Sequence, residues 1–136
     1  MRLRVMLDTN ILVSAILFPS PSTEKFLNTV MTHHHVFLCD YVIEELWKTV
    51  NGKFPHKAAE VERFLHDFTF ERIPTPQAPE MAPLPEIRDP KDAPILAAAI
   101  LEKADVLVTG DKDFLVLSIS EPRIMTMAEF MTAFPA

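Results

Sequence analysis

Short apolar blocks along this chain alternate with longer segments in which apolar residues recur at helical spacing. The apolar blocks predict strands over residues 2–8, 35–39, 105–109 and 123–125. The helical pattern covers residues 11–17, 22–31, 40–50, 56–68, 91–103 and 127–134. Strands that are buried on both faces and separated by helices are typical of a parallel sheet with helices on each side. The pattern therefore predicts an α/β fold.

Residues that cap or break helices set the expected boundaries. Ser22 or Thr23 is expected to cap the second helix, and Asp40 the third, which should stop at Asn51-Gly52. Residues 74–85 hold five of the chain's 12 prolines, too many for a helix or a central strand, and predict an extended connector. The segment after this connector is too short to fold alone, so a single domain over residues 1–136 is expected.

Composition narrows the class of protein. The 136 residues are 49% hydrophobic and 24% charged, as in soluble globular domains. Cys39 is the single cysteine and cannot form an internal disulfide, and no apolar run approaches the roughly 20 residues of a membrane helix. The apolar segment before Asp8 is too short for a signal peptide. We therefore expect a cytoplasmic protein without membrane contact.

Acidic residues are in excess, and their positions say more than their number. The net charge of −6 argues against a protein that coats nucleic acid through clustered lysines and arginines. Asp8 and Asp111 each follow a predicted strand, and Asp92 opens the helix that leads into the second of these strands. The carboxyl ends of parallel strands share one edge, where ligands bind in this class of fold. We therefore expect these three acids to meet at that edge.

Carboxylates that meet in this way resist joint ionisation unless a cation compensates their charge. Oxygen ligands without cysteine or histidine favour Mg²⁺ or Mn²⁺, and such ions suit phosphodiester hydrolysis. A metal-dependent nuclease follows as a hypothesis. Each acid also has a structural interpretation, since Asp8 and Asp92 can cap helices and Asp89 and Asp111 can stabilise turns.

Four short motifs contain these acids and span essentially the full chain. They are Leu7-Asp8-Thr9-Asn10, Ile43-Glu44-Glu45-Leu46, Arg88-Asp89-Pro90-Lys91-Asp92 before an alanine-rich helix, and Leu107-Val108-Thr109-Gly110-Asp111-Lys112-Asp113-Phe114. Together and in this order they resemble the PIN-domain ribonucleases, in particular the VapC-like toxin components of toxin–antitoxin systems. The resemblance implies a three-layer α/β/α sandwich around a parallel sheet, a Mg²⁺ or Mn²⁺ site, and endonucleolytic cleavage of RNA.

The resemblance also assigns roles to particular residues. The catalytic and metal-binding positions are Asp8, Glu45, Asp92 and Asp111. Helical periodicity alone places Glu44 and Glu45 equally well beside the apolar face of their helix, and the family motif, whose acid precedes Leu or Val, selects Glu45. The expected auxiliary residues are two acids, Asp89 and Asp113, and three polar residues that would hold carboxylates or water, Thr9, Asn10 and Thr109.

The partners implied by the resemblance are an RNA substrate, a protein antitoxin that occludes the acidic groove, and a second copy in a homodimer. RNA could be held in a dimer groove or by a basic strip of Lys48, Lys53, His56, Lys57, Lys91 and Lys112. Two other functions remain open. One is a non-catalytic PIN-like module that binds RNA or protein. The other is a phosphatase or phosphoacceptor domain of similar topology, disfavoured because the first strand ends in Asp8-Thr9-Asn10 rather than in an acid pair.

Overall fold

Five parallel strands form the central sheet of the computed structural model, which describes residues 2–77, 92–117 and 119–135. The strands are β1 (Arg4–Leu7), β2 (His35–Cys39), β3 (Glu71–Ile73), β4 (Val106–Val108) and β5 (Arg123–Met125). Their order across the sheet is β3-β2-β1-β4-β5, and every neighbouring pair is parallel. The predicted α/β fold with a parallel sheet is confirmed.

Seven α-helices lie in the described part of the chain. They are α1 (Thr9–Leu17), α2 (Pro21–His33), α3 (Asp40–Lys53), α4 (Ala58–Asp67), α5 (Ala93–Leu101), α6 (Lys112–Leu115) and α7 (Met127–Ala133). The helix predicted over residues 56–68 divides into a 3₁₀ turn, Pro55–Lys57, and α4. Because parallel crossovers are right-handed, the helices between β1, β2 and β3 lie on one face of the sheet, and α5 and α6 lie on the other. This is the three-layer α/β/α sandwich that the resemblance implies.

The strand order reverses at β1, and this reversal fixes where a ligand can bind. β1 pairs with β2 on one side and with β4 on the other, where Leu7 lies opposite Val108. Both strands are buried, which explains why their sequences are continuous apolar blocks. The carboxyl ends of β1 and β4 therefore open side by side at a topological switch point, the usual ligand crevice of an open α/β sheet.

The sequence patterns miss two short elements. β3 is an edge strand in which only Ile73 is buried, so it presents no apolar block. α6 is a helix of four residues that begins directly after Asp111. Most of the connector expected over residues 74–85 lies outside the described residues, and so does Asp89.

The start of α2 differs from the predicted one. Its N-cap is Ser20, not Ser22 or Thr23, and Pro21 occupies the first helical turn. Proline is favoured there because its missing N–H would have no partner in the helix. Ser20 and Thr23 form a reciprocal capping pair, in which each side chain accepts from the backbone N–H of the other.

Both ends of α3 also differ from the predicted ones. Cys39, not Asp40, is the N-cap, and it makes no capping hydrogen bond through its side chain. The Asp40 carboxylate instead accepts a hydrogen bond from Nε of Arg72 on β3. The helix continues through Asn51-Gly52 and ends at Lys53. None of the helices in the described residues is long and apolar enough to cross a membrane.

One histidine is part of the core at the end of α2. His34 is only 6% exposed, and its Nδ1 accepts a hydrogen bond from the N–H of Leu3 at 3.1 Å. The ring packs edge to face on Phe130, with centroids 5.5 Å apart. Burial lowers the pKa of His34, so the fold accommodates the neutral ring.

Candidate metal centre

A cleft of about 260 Å³ lies at the carboxyl ends of β1 and β4. Four segments form its walls: the end of β1 with the first half of α1, helix α3, the start of α5, and the segment that follows β4. The lining residues are Asp8, Thr9, Asn10, Val13, Tyr41, Glu45, Thr49, Asp92, Ile95 and Asp111. The four acids to which the resemblance assigns catalytic roles therefore share one cleft.

Asp8 joins the two central strands at the base of the cleft. It follows β1 directly, is 4% exposed, and its backbone N–H donates to the carbonyl of Val108 at 3.0 Å. Its Oδ1 accepts from the backbone N–H of Thr9 and its Oδ2 from the hydroxyl of Thr109, both at 2.7 Å. The Thr109 hydroxyl in turn accepts from the N–H of Asp111 at 3.0 Å. These bonds fix the Asp8 carboxylate in one orientation.

The electrostatics of Asp8 indicate a site that lacks positive charge. Burial raises the pKa of Asp8, and the hydrogen bonds from Thr109 and Thr9 lower it only in part. The carboxylates of Asp111 and Glu45 raise the same pKa further through charge repulsion. A bound cation would instead lower the pKa of Asp8.

Three carboxylates approach closely enough to share an ion. One oxygen from each of Asp92, Asp111 and Asp113 lies within 4.8 Å of the other two. Two ligands on opposite sides of a Mg²⁺ ion are separated by about 4.2 Å, since each bond is about 2.1 Å long. Asp8 lines the same cleft but is outside this closest group, whereas Asp113, assigned an auxiliary role by the resemblance, is inside it.

Helix capping and turn formation, the structural roles considered for these acids, explain their positions only in part. The side chain of Asp92 makes no capping hydrogen bond to α5, although the residue occupies the N-cap position. Asp111 does form a turn contact, since its Oδ1 accepts from the N–H of Asp113 at 2.9 Å. That contact brings residues 111 and 113 together, so the turn itself builds part of the acidic cluster.

The structure distinguishes between the two glutamates of α3. Glu45 is half-buried and lines the cleft, whereas Glu44 is exposed and lies outside it. Tyr41 and Thr49, which the sequence analysis did not single out, line the cleft one turn before and one turn after Glu45. Residues four apart share a helix face, so the choice of Glu45 would have identified both.

The chemistry of the lining residues fits a hard divalent cation. Every polar side chain of the cleft offers oxygen or, at Asn10, amide groups, and neither cysteine nor histidine is among the lining residues. Thr9 Oγ1 is buried there and, within the described residues, has no hydrogen-bond partner. The Asn10 carbonyl oxygen accepts a long bond from the N–H of Gly110 at 3.4 Å. Mg²⁺ or Mn²⁺ therefore suits this donor set.

Known proteins share this fold. The sequence model described as PIN domain matches residues 4–113. The structure is similar to VapBC2 from Rickettsia felis bound to a DNA fragment from its promoter, with a TM-score of 0.72 and 25% identity over 90% of this chain and 96% of that chain. DNA-bound VapBC from Salmonella typhimurium has a TM-score of 0.70 and 20% identity over 92% and 98% of the two chains. The PIN domain endonuclease Utp24 has a TM-score of 0.53 and 18% identity over 82% and 74%. No curated protein sequence gives a significant match.

Proposed function

Because the chain belongs to the PIN domain family, whose model matches residues 4–113, we propose that it is a divalent-metal-dependent endoribonuclease. The observation that carries this proposal is the convergence of Asp8, Glu45, Asp92 and Asp111 in one cleft at the switch point of the sheet. These acids come from four separate segments of the chain, and charge repulsion among them needs a cation.

The position of each residue supports a particular role in this proposal. Asp8, Asp92 and Asp111 would ligate the ion, and Asp113 is close enough to Asp92 and Asp111 to join them. Bound Mg²⁺ or Mn²⁺ would supply polarisation of the scissile phosphate and activation of water. Glu45 would complete the ligand set or orient the attacking water. Thr109 and the N–H of Thr9 would keep the Asp8 carboxylate in place.

We further propose that the protein is the toxin of a toxin–antitoxin pair. The similarity to VapBC2 from Rickettsia felis, which covers 90% of this chain at 25% identity, supports a protein antitoxin as partner. The antitoxin would inhibit cleavage by occluding the acidic cleft. A homodimer and a cytoplasmic location belong to the same proposal.

The test is cleavage of a panel of RNAs with Mg²⁺ or Mn²⁺ and with a chelator. We expect wild-type protein to cut only with the ion, and Asp8→Asn to be inactive with its fold intact by circular dichroism. Asp67→Asn is the matched control, because Asp67 is an exposed acid on α4 outside the cleft. Wild-type cleavage rates in Asp8→Asn would refute the assignment. Ion-independent RNA binding without cleavage by the wild type would favour the non-catalytic module instead.

A further inference from the structure

Phe18 and Phe54 form an aromatic pair on the surface, at the ends of two of the helices that line the cleft. Phe18 is the C-cap of α1 and Phe54 that of α3, and a proline follows each. A residue before proline is held out of the helical conformation, and both have similar backbone angles, φ −131° and ψ 60° against φ −136° and ψ 52°. The rings meet edge to face with centroids 5.6 Å apart, and Phe18 remains 59% exposed. The pair is thus held by the backbone and leaves ring surface open to solvent.

The same surface is basic although the chain as a whole is acidic. Against 19 acids in the whole chain, residues 46–59 contain no Asp or Glu, and residues 9–23 contain no charged side chain. The basic residues of the first segment are Lys48, Lys53, His56 and Lys57. Within the described residues no ion pair engages these side chains. Lys48 has Glu44 and Glu45 within about one turn of α3, whereas Lys53 has no acid within four residues in sequence, so Lys53 offers the clearest positive charge for a phosphate group here.

This surface continues from the acidic cleft. Val13 of α1 and Thr49 of α3 line the end of the cleft away from the strands. Lys53 lies one helical turn beyond Thr49 on the same face of α3. Phe18 follows Val13 by five residues, so it lies about 7.5 Å further along α1. Along α1, Phe18 is nine residues from Thr9, or about 13 Å at the rise of an α-helix. A strand bound in the cleft would reach the aromatic pair within a few nucleotides.

We propose that Phe18 and Phe54 form a stacking platform for an unpaired base of the RNA substrate, a few nucleotides from the bond that is cut, while Lys48 and Lys53 contact the flanking phosphates. The inference rests on the proposed nuclease function and assigns a substrate-binding surface to it. Exposed aromatic rings beside lysines are the combination that binds single-stranded nucleic acid, because every base has a face that can stack.

The helix dipole of α3 explains the position of Lys53 but not that of Lys48. Lys53 is at the C-terminus of α3, where a cation is stabilised by the helix dipole. Lys48 is five residues earlier, outside the last turn, and is next to Glu45 on the helix surface, so it borders the cleft. A protein partner would be favoured by the exposed ring alone, but the local excess of positive charge favours a polyanion.

The experiment compares Phe18→Leu with Phe18→Trp in cleavage and in binding of single-stranded oligoribonucleotides. The wild-type protein is also given a series of substrates, each with one abasic nucleotide at a different position. The position at which loss of the base raises KM is that of the stacked base. We expect Phe18→Leu to raise KM on the intact RNA by about 5- to 150-fold, the range that one stacked base contributes, with little change in kcat. Phe18→Trp should retain the wild-type KM. Leu101→Ala, an exposed apolar residue of α5, is the control and should have no effect.

The abasic series makes the test specific for stacking. In Phe18→Leu, the substrate abasic at the identified position should be cleaved with the same KM as intact RNA. Equal KM values for wild type and Phe18→Leu on every substrate would overturn the proposal. So would a change from dimer to monomer in Phe18→Leu with unchanged KM, because the surface would then serve a second copy of the chain.

Binding separates this proposal from the proposed function. Absence of cleavage by the wild type with Mg²⁺ or Mn²⁺ refutes the nuclease function. Fluorescence anisotropy of labelled RNA then tests, independently of cleavage, whether Phe18, Phe54 and the neighbouring lysines bind RNA. In that assay Lys53→Gln should reduce the salt dependence of log K by about 0.7, the value for one phosphate contact of a single strand. Lys25→Gln on α2 should leave it unchanged. Equal slopes for Lys53→Gln, Lys25→Gln and wild type, together with unaltered affinity in Phe18→Leu, would refute the platform.

Discussion

Thr109→Val tests how the protein holds a buried carboxylate at the site. Thr109 is fully buried, and its hydroxyl donates to Asp8 Oδ2 at 2.7 Å while it accepts from the N–H of Asp111 at 3.0 Å. Valine has nearly the same shape but can make neither bond. The substitution therefore leaves packing almost unchanged and removes the support of Asp8.

The size of the effect follows from these two bonds. A hydrogen bond to a charged group contributes about 1.5–3 kcal/mol, and the half-buried N–H of Asp111 adds up to about 1 kcal/mol when it loses its acceptor. For a domain of this length we expect the melting temperature to fall by about 3–5 °C per kcal/mol, or roughly 5–20 °C in total. In the proposed ion site, loss of a group that orients a ligand should weaken Mn²⁺ binding about 10- to 100-fold.

The pH dependence of this penalty identifies its cause. Burial already raises the pKa of Asp8 above its usual 3.8, and loss of the Thr109 hydrogen bond raises it further. The folded state of the variant therefore takes up a proton more readily than that of the wild type, and it gains relative stability as the pH falls through this window. Once Asp8 is protonated in both proteins, the lost bond is a neutral one that contributes only about 0.5–1.5 kcal/mol.

Urea denaturation between about pH 4 and pH 7 measures this difference. Thr109→Ser is the matched control, because it keeps the hydroxyl and loses one buried methyl group, which costs about 1 kcal/mol at every pH. A Thr109→Val penalty that is the same at both ends of the range, or no larger than that of Thr109→Ser, would show that Thr109 does not support the charged form of Asp8.

Three further predictions concern the ion, the glutamates and the buried histidine. Mn²⁺ at about 100 times its Kd should stabilise the wild type by about 2.7 kcal/mol in thermal unfolding, and Asp111→Asn should abolish this gain; an equal gain in Asp111→Asn would contradict the site. Glu45→Gln should lower kcat of RNA cleavage at least tenfold and Glu44→Gln should not, because only Glu45 lines the cleft; equal losses in the two variants would remove the distinction. Burial lowers the pKa of His34, so the unfolded chain takes up its proton first and stability is lost as the pH falls below about 6.5. In urea denaturation, His34→Asn, whose Oδ1 can accept from the N–H of Leu3, should lose less stability over that range, and an identical pH profile would disprove the role of His34.

The central strands and the acids that follow them could be predicted from the sequence, because burial on both faces leaves a strong apolar signal. β1 and β4 are such strands, and the rule that parallel strands end at one edge places Asp8 and Asp111 together. β3 could not be predicted in this way, since an edge strand with one buried residue has no pattern that differs from a loop.

Helical periodicity could not choose between Glu44 and Glu45, because both lie beside the apolar face of α3 and the packing of α3 in the fold decides which one meets the cleft. The closeness of Asp113 to Asp92 and Asp111 could not be predicted either, since it depends on a turn in which the Asp111 side chain accepts from the N–H of Asp113. The approach of Asp92 to Asp111 and the position of Glu45 in the cleft depend on tertiary structure, which local patterns do not encode.

The anomalous difference density of a crystal soaked with Mn²⁺ would test the proposed ion site most directly. We expect a peak in the cleft at about 2.2 Å from carboxylate oxygens of Asp8, Asp92 and Asp111, and no such peak in Asp8→Asn. Mn²⁺ bound only elsewhere on the protein, or a cleft without a peak at saturating Mn²⁺, would contradict an ion site formed by these acids.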